Sequence, residues 1–313
     1  MSNDSANNEI KHISHNIHFN SIVIAGGALK VIAVIGCIKY LQEKNALKDI
    51  KNYIGTSAGS IMCLFLALDY TYVEIIDFLV HNLSDPEINA FDPSECFDIL
   101  TNYGISSGKN IELMIQRILY KKLKIDDITF IDLAKHTGKN LVVCVSNLSK
   151  ERSEFFNVDT MPNLSVVTAI RVSCCIPIIY SPITINEDVY MDGGLYNNFP
   201  IDYLKDNILK DILGINIVYK NYKSIDNFFS YINFVVNSLV DKVNSKALND
   251  AENNVVIMDF VEDDWFSLTE LKLKFPKENW VTYINMGYKA IKNKLDSCFV
   301  FQLCDLIESH DST

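Results

Sequence analysis

The segment with the clearest structural pattern is IKNYIGTSAGSIMCLFLAL, which occupies residues 50–68. Residues 50–54 predict a short buried strand. The glycine-containing residues 55–59 predict a tight turn, and the apolar run at 60–68 predicts a helix. The segment therefore predicts a strand that turns sharply into a helix.

A second unit of this kind lies just before the first. Residues 19–25 predict a strand, Gly26 and Gly27 a tight turn, and residues 29–41 a helix. Residues 71–123 are mainly helical in pattern, and further helices are predicted at 164–171 and 202–209. Additional strands are predicted at residues 141–146, 154–158, 212–218 and 254–260. This alternation predicts a three-layer α/β/α sandwich with a largely parallel central sheet.

The composition is that of a globular chain, with 49% hydrophobic and 21% charged residues among 313. We expect a mobile polar tail at 1–18, a catalytic core at 19–220 and an α/β extension at 221–313 that packs on the same domain. Three histidines in the tail lack a fixed scaffold, so we assign them no metal and no function.

Charge and hydropathy limit the partners and the location. The formal net charge of −11 disfavours nucleic acid and gives no general attraction to an anionic membrane. The longest apolar run, residues 61–68, is too short to span a bilayer, and no secretory signal is visible. Eight cysteines without regular spacing are interpreted as reduced thiols. These observations favour a cytoplasmic or peripherally membrane-associated protein.

The turn at residues 55–59, Gly-Thr-Ser-Ala-Gly, fits the G-x-S-x-G pattern of a nucleophile elbow. That pattern requires a strand before it and a helix after it, and both are predicted here. Gly55 and Gly59 allow neighbouring backbone to approach, and the helix N-terminus favours negative charge near Ser57. The alternative is a turn that only joins a strand to a helix, with the serine as its cap.

The glycine turn at Gly26 and Gly27 ends the other early strand and is expected to lie beside the elbow. Its backbone amides can stabilise an oxyanion, which is a large term in acyl transfer. The alternative is a phosphate-binding turn, but neither G-x-G-x-x-G nor a Walker G-K-[ST] ending is present.

A nucleophilic serine needs a base, and none of the six histidines has a suitable sequence setting. His310 satisfies the usual chain order of a triad, yet it lies in a polar terminus. The better candidate is Asp192, which follows an apolar segment and precedes Gly193 and Gly194. An ordinary Asp has a pKa near 4, so burial would have to raise the pKa of this carboxyl. The alternative is a common Asp-Gly turn.

Taken in order, these segments resemble the patatin-like phospholipase family over about residues 20–220. Residues 25–32 are similar to its glycine-rich oxyanion segment, usually G-G-G-x-[KR]-G, with Lys30 at the basic position. Residues 55–59 are similar to its elbow, and Asp192, Gly193 and Gly194 to its D-G-[GA] motif. Residues 170–177 and 197–201 also resemble the segments that flank the catalytic Asp.

The resemblance implies a lipid acyl hydrolase of the phospholipase A type, without metal or organic cofactor. It implies Ser57 as nucleophile and Asp192 as proton acceptor, with Gly26, Gly27 and Ala28 as oxyanion hole. The substrate would be a phospholipid or another acyl lipid, with peripheral membrane contact.

Two residues depart from the family pattern: Ala28 replaces the third glycine of the oxyanion segment, and Val31 replaces its last glycine. If the turn needs a positive φ at position 28, alanine is strained there. A β-branched residue at 31 could shift the following helix. These departures motivate one alternative to a lipid hydrolase, a catalytically weak or silent lipid- or protein-binding protein. A further alternative, which differs only in substrate, is a hydrolase of soluble small esters.

Overall fold

A computed structural model describes residues 18–88, 99–204, 211–220, 255–261 and 277–310. The predicted tail therefore lies outside the described residues except for His18, whose ring nitrogen lies 2.6 Å from a carboxylate oxygen of Asp49. The predicted helix at 202–209 is described only in its first part, where residues Ile201–Leu204 form a 3-10 turn.

The strands are β1 (Ser21–Ile24), β2 (Asn52–Thr56), β3 (Gly104–Ser106), β4 (Asn140–Asn147), β5 (Arg152–Phe156), β6 (Ile178–Tyr180), β7 (Ile183–Ile185), β8 (Asp188–Asp192), β9 (Ile212–Lys220) and β10 (Val255–Val261). The central sheet has the order β10-β9-β1-β2-β4-β8-β7, and β5 also pairs with β4. Neighbouring strands from β10 to β4 are parallel, whereas β5, β7 and β8 are antiparallel to their partners. The short strands β3 and β6 pair apart from this sheet.

The helices are α1 (Ile32–Glu43), α2 (Ala58–Ala67), α3 (Tyr72–Asn82), α4 (Ile99–Asn102), α5 (Lys109–Leu123), α6 (Phe130–Thr137), α7 (Val166–Ser173), α8 (Gly194–Asn197) and α9 (Lys277–His310). Helices α1, α2 and α7 contribute to the main core, together with apolar side chains of the sheet. A smaller cluster includes residues of β1 and β2 and the turn at Ile201–Leu204. Among the described residues, no helix combines the length and apolarity needed to cross a membrane.

The prediction of a mixed α/β fold with a mostly parallel sheet flanked by helices is confirmed. The main difference is the antiparallel part of the sheet, where β8 returns along β4. The helix predicted at 29–41 begins at Ile32 and is preceded by a 3-10 turn at Ala28–Val31, whose first residue has φ 45° and so lies outside the α-helical region. The strand predicted at 154–158 ends at Phe156, since the Asn157 side chain accepts from the next amides and forms a turn.

The register in which β2 and β8 pair with β4 brings the predicted site residues together. On β4, Cys144 is opposite Thr56, the last residue of β2, and the next residue, Val145, is opposite Asp192 of β8. Strand β5 occupies the other edge of β4, because it pairs with residues that also pair with β2 or β8. Strands β2 and β8 therefore meet end to end along one edge of β4, which brings residue 57 next to residue 192.

Candidate active site

Ser57 lies at the turn between β2 and α2. Its backbone has φ 52° and ψ −130°, a strained conformation for a residue with a side chain. Only 8% of the residue is exposed, and its Oγ donates a hydrogen bond to Oδ2 of Asp192 at 2.7 Å. The strand, turn and helix predicted around the serine are thus present, and the hydroxyl contacts the predicted base.

Asp192 is held so that one carboxylate oxygen faces Ser57. Its Oδ1 accepts from the Gly194 amide at 2.8 Å, and its own amide donates to the Cys175 carbonyl at 3.0 Å. The residue is 7% exposed. Burial raises the pKa of this carboxyl to about 6, although the hydrogen bonds from Gly194 and Ser57 act in the opposite direction. The carboxyl therefore has the raised pKa that the sequence analysis required of a base.

The glycine loop after β1 lies beside the elbow, as predicted, because β1 and β2 are parallel neighbours. The amide of Gly26, which was predicted to be an oxyanion donor, has an acceptor within the protein. Its amide donates to the Asn198 carbonyl at 3.1 Å, and its carbonyl accepts from Asn198 Nδ2 at 3.2 Å. A Cβ at position 26 would collide with the same Asn198 side chain. These contacts with Asn198 anchor the loop at Gly26.

Gly27 and Ala28 are the other two residues predicted for the oxyanion hole. Within the part of the chain that the structure describes, neither of their amides donates to a protein group. Ala28 is exposed and has φ 45°, so alanine occupies a left-handed conformation that favours glycine. Lys30 lies in the 3-10 turn, where its amide donates to the Gly27 carbonyl at 3.0 Å. Val31 has ordinary helical angles and packs against the main core.

The remaining motif glycines permit close backbone contacts. Gly55 is the penultimate residue of β2, and Gly59 lies in the first turn of α2. A Cβ on Gly59 would collide with the carbonyls of Ile24 and Ala25, and one on Gly193 with the Cys144 carbonyl. Small residues at these two positions therefore let the elbow pack on β1 and the Asp192 segment on β4.

Two residues at the site were not singled out by the sequence analysis. Ser173 accepts a hydrogen bond from the Ser57 amide, and Asn198 holds Gly26. Both lie in segments whose resemblance to the family was visible in the sequence, but that resemblance assigns them no contact. The contacts of these two residues are seen only in the three-dimensional structure.

The histidines with described side chains lie elsewhere. His18, His81 and His136 are exposed, and His310 belongs to α9, in a part where side chains are not described. Fold and site together define an α/β protein with a serine at a strand-to-helix elbow and a buried carboxylate as its partner.

Comparison with known proteins agrees with this description. The family model described as patatin-like phospholipase matches residues 22–205. A protein of Invertebrate iridescent virus 6 named "Probable lipid hydrolase 463L" is 32% identical over 246 residues, which cover 75% of this chain and 84% of that protein. The uncharacterized protein R571 of Acanthamoeba polyphaga mimivirus is 26% identical over 311 residues, which cover 92% of this chain and 97% of that protein.

A similar solved structure is that of VipD from Legionella pneumophila, with a TM-score of 0.58 and 18% identity. The match covers 90% of this chain and 67% of VipD, and at this identity it supports the fold alone. The sequence match to the family model covers more than half of the chain. The chain belongs to the patatin-like phospholipase family.

Proposed function

We propose that this protein is a lipid acyl hydrolase of the phospholipase A type that uses a Ser57–Asp192 dyad. Membership of the family supports lipid hydrolysis in general. The observation that carries the finer proposal is the 2.7 Å hydrogen bond from Ser57 Oγ to Asp192 Oδ2 at a strained, buried elbow. Such an arrangement gives a serine hydroxyl both a base and a fixed direction of attack.

In the first half-reaction, Ser57 Oγ attacks the ester carbonyl while Asp192 Oδ2 accepts the hydroxyl proton. The carbonyl oxygen becomes an oxyanion, which the amides of Gly27 and Ala28 stabilise. The tetrahedral intermediate then expels the alcohol part of the lipid, which takes the proton from Asp192. An acyl-enzyme on Ser57 remains.

In the second half-reaction, Asp192 accepts a proton from water as the water attacks the acyl-enzyme. The ester bond to Ser57 breaks, the serine regains its proton from Asp192, and the fatty acid leaves. One carboxylate thus serves both steps, which favours a pKa near the working pH. Burial of Asp192, which raises its pKa to about 6, supports this role.

The test is release of fatty acid from phospholipid vesicles, followed by mass spectrometry. We expect Ser57→Ala and Asp192→Asn each to lower kcat by about 10³-fold or more. Asp188→Asn is the matched control, because Asp188 begins the same strand β8 but pairs with Lys150. It should retain the parent rate. Parent-like hydrolysis by a folded Ser57→Ala protein would disprove the proposal.

A second candidate is a catalytically weak or silent protein that binds lipid or protein through the same scaffold. Ala28 favours it, since the left-handed conformation at an exposed oxyanion residue strains the turn that holds the donors. The two candidates differ in product. A silent binder would take up phospholipid without releasing fatty acid, and Ser57→Ala would leave that uptake unchanged.

The substrate assembly also needs a test, because a hydrolase of soluble esters has the same dyad. We expect contact with lipid surfaces to be peripheral. Hydrolysis of a short-chain phospholipid should therefore increase sharply when its concentration passes the point at which micelles form. A rate that is continuous through that point would favour the soluble-ester alternative.

A further inference from the structure

Ser173 is the last residue of α7 and is completely buried. Its Oγ accepts a hydrogen bond from the Ser57 amide at 2.8 Å. The same Oγ donates to the Cys144 carbonyl on β4 at 2.6 Å. One hydroxyl therefore connects the backbone of the proposed nucleophile to the strand against which both dyad residues are aligned.

The elbow needs such a connection because its backbone is strained. A residue with φ 52° persists in a left-handed conformation only where the surroundings hold it. The Ser57 carbonyl is held by Ser60, whose Oγ donates to it at 2.6 Å. On the amide side, Ser173 supplies the acceptor. Without that acceptor, a buried N–H would be left unsatisfied, which is costly.

The segment after Ser173 contacts the other half of the dyad. Two residues further on, the Cys175 carbonyl accepts a hydrogen bond from the Asp192 amide at 3.0 Å. The end of α7 thus binds the backbones of both Ser57 and Asp192. Because the Ser57 amide already donates to Ser173, this amide cannot act as an oxyanion donor.

We propose that Ser173 is a positioning residue, which holds the Ser57 backbone in its strained conformation and directs Ser57 Oγ toward Asp192. This inference rests on the proposed function and adds to it a residue that does not touch substrate. Its consequence is that oxyanion stabilisation depends on the glycine-loop amides at Gly27 and Ala28 and not on the nucleophile's own N–H.

The experiment compares Ser173→Ala with Ser173→Thr, which keeps the hydroxyl. The control is Ser165→Ala, at the opposite end of the same helix, where the serine accepts from the Thr168 amide as an N-cap. Each variant is assayed for the rate of Ser57 labelling by a fluorophosphonate, for kcat and KM of fatty acid release, and for Tm.

We expect Ser173→Ala to lower both the labelling rate and kcat by about 10- to 100-fold, because small displacements of a reacting group have effects of this size. KM should change little, and Ser173→Thr should recover most of the rate. Ser165→Ala should lower Tm through loss of a cap without slowing labelling. A folded Ser173→Ala protein that is labelled at the parent rate would overturn the proposal, as would equal slowing in Ser165→Ala.

If Ser173→Ala does not fold, Ser173→Cys replaces it in the comparison, since a thiol is a weak acceptor with a similar shape. Hydrogen exchange of the peptide at residues 54–60 gives a readout that is independent of catalysis. Exchange at the Ser57 amide should be faster in the Ser173 variant than in the parent and the control. Unlabelled parent protein would refute the proposed function, whereas unchanged exchange would refute the role of Ser173.

Discussion

Burial of Asp192 determines when its carboxylate can act as a base. The pKa of about 6 means that the carboxyl is protonated in more acidic solution, where it cannot accept the serine proton. We expect kcat/KM to fall below pH 6, by about tenfold per pH unit, with a midpoint near pH 6. The pH profile of fatty acid release measures this. A midpoint near pH 4, typical of an exposed Asp, would contradict it.

The same burial lowers the free energy of unfolding at neutral pH, because it penalises the charged form of Asp192. Because its pKa is about 6 in the folded protein and near 4 in the unfolded chain, the folded state binds the proton more tightly. Stability from this group is therefore complete below pH 4 and is lost as the pH rises through 6. A difference of about two pKa units corresponds to about 3 kcal/mol of unfolding free energy at pH 7.

Asp192→Asn removes that cost, since an amide does not ionise and can still accept from Gly194. We expect the inactive variant to be more stable than the parent at pH 7, by up to about 3 kcal/mol, with the difference disappearing below pH 4. Urea unfolding at both pH values tests this. A variant that is less stable than the parent at pH 7 would show that the carboxylate contributes favourable contacts larger than its desolvation.

Among the residues proposed for the oxyanion hole, Ala28 is the one whose side chain disfavours its own backbone conformation. With φ 45°, it carries a penalty of roughly 1–2 kcal/mol that glycine does not. Ala28→Gly should therefore raise the unfolding free energy by about 0.5–1 kcal/mol, after the greater freedom of glycine in the unfolded chain is included. Hydrolysis should be kept or increased, because the amide at position 28 is retained. A marked loss of both stability and kcat would contradict this account of the turn.

The long helix α9 packs on α1 through glycine contacts. A Cβ on Gly287 would collide with the Ala33 carbonyl, and one on Gly36 with the Ile284 carbonyl. By helix propensity alone, Gly287→Ala would stabilise α9 by about 1 kcal/mol. The collision with backbone should reverse the sign, and we expect a loss of at least about 2 kcal/mol.

Gly138→Ala is the matched control for this substitution. Gly138 follows α6 with φ 67°. Among the described residues, apart from its two chain neighbours, no heavy atom lies within 4 Å of an added Cβ, so only the left-handed strain of about 1 kcal/mol applies. Urea unfolding should show the larger loss in Gly287→Ala. A stabilised Gly287→Ala protein would mean that α9 does not approach α1 this closely.

The sequence predicted the helices and strands better than the residues at which they begin and end. The pattern around residues 50–68 gave a strand, an elbow and a helix because apolar runs and glycines are local signals. The 3-10 turn at Ala28–Val31 starts at a residue with positive φ, and the strand that ends at Phe156 is followed by a turn around the Asn157 side chain. Such details are set by contacts that periodicity does not encode. The antiparallel return of β8 was missed for the same reason.

Across the whole molecule, the site joins segments that are far apart in the chain. The Ser57–Asp192 hydrogen bond spans 135 positions, and the Gly26–Asn198 contact spans 172. Each segment carried a recognisable motif, so the proximity of Ser57 and Asp192 could be predicted. The hydrogen bond of the Gly26 amide and the contacts of Ser173 could not be predicted, because they join segments that are far apart in the chain.

The most direct test of the Ser57–Asp192 dyad is to locate the adduct that a fluorophosphonate forms with the folded protein. Intact mass and peptide mapping should show a single adduct on Ser57, formed much more slowly in Asp192→Asn than in the parent or in Asp188→Asn. A folded, unlabelled parent, or an adduct on another residue with Ser57 unmodified, would contradict the account.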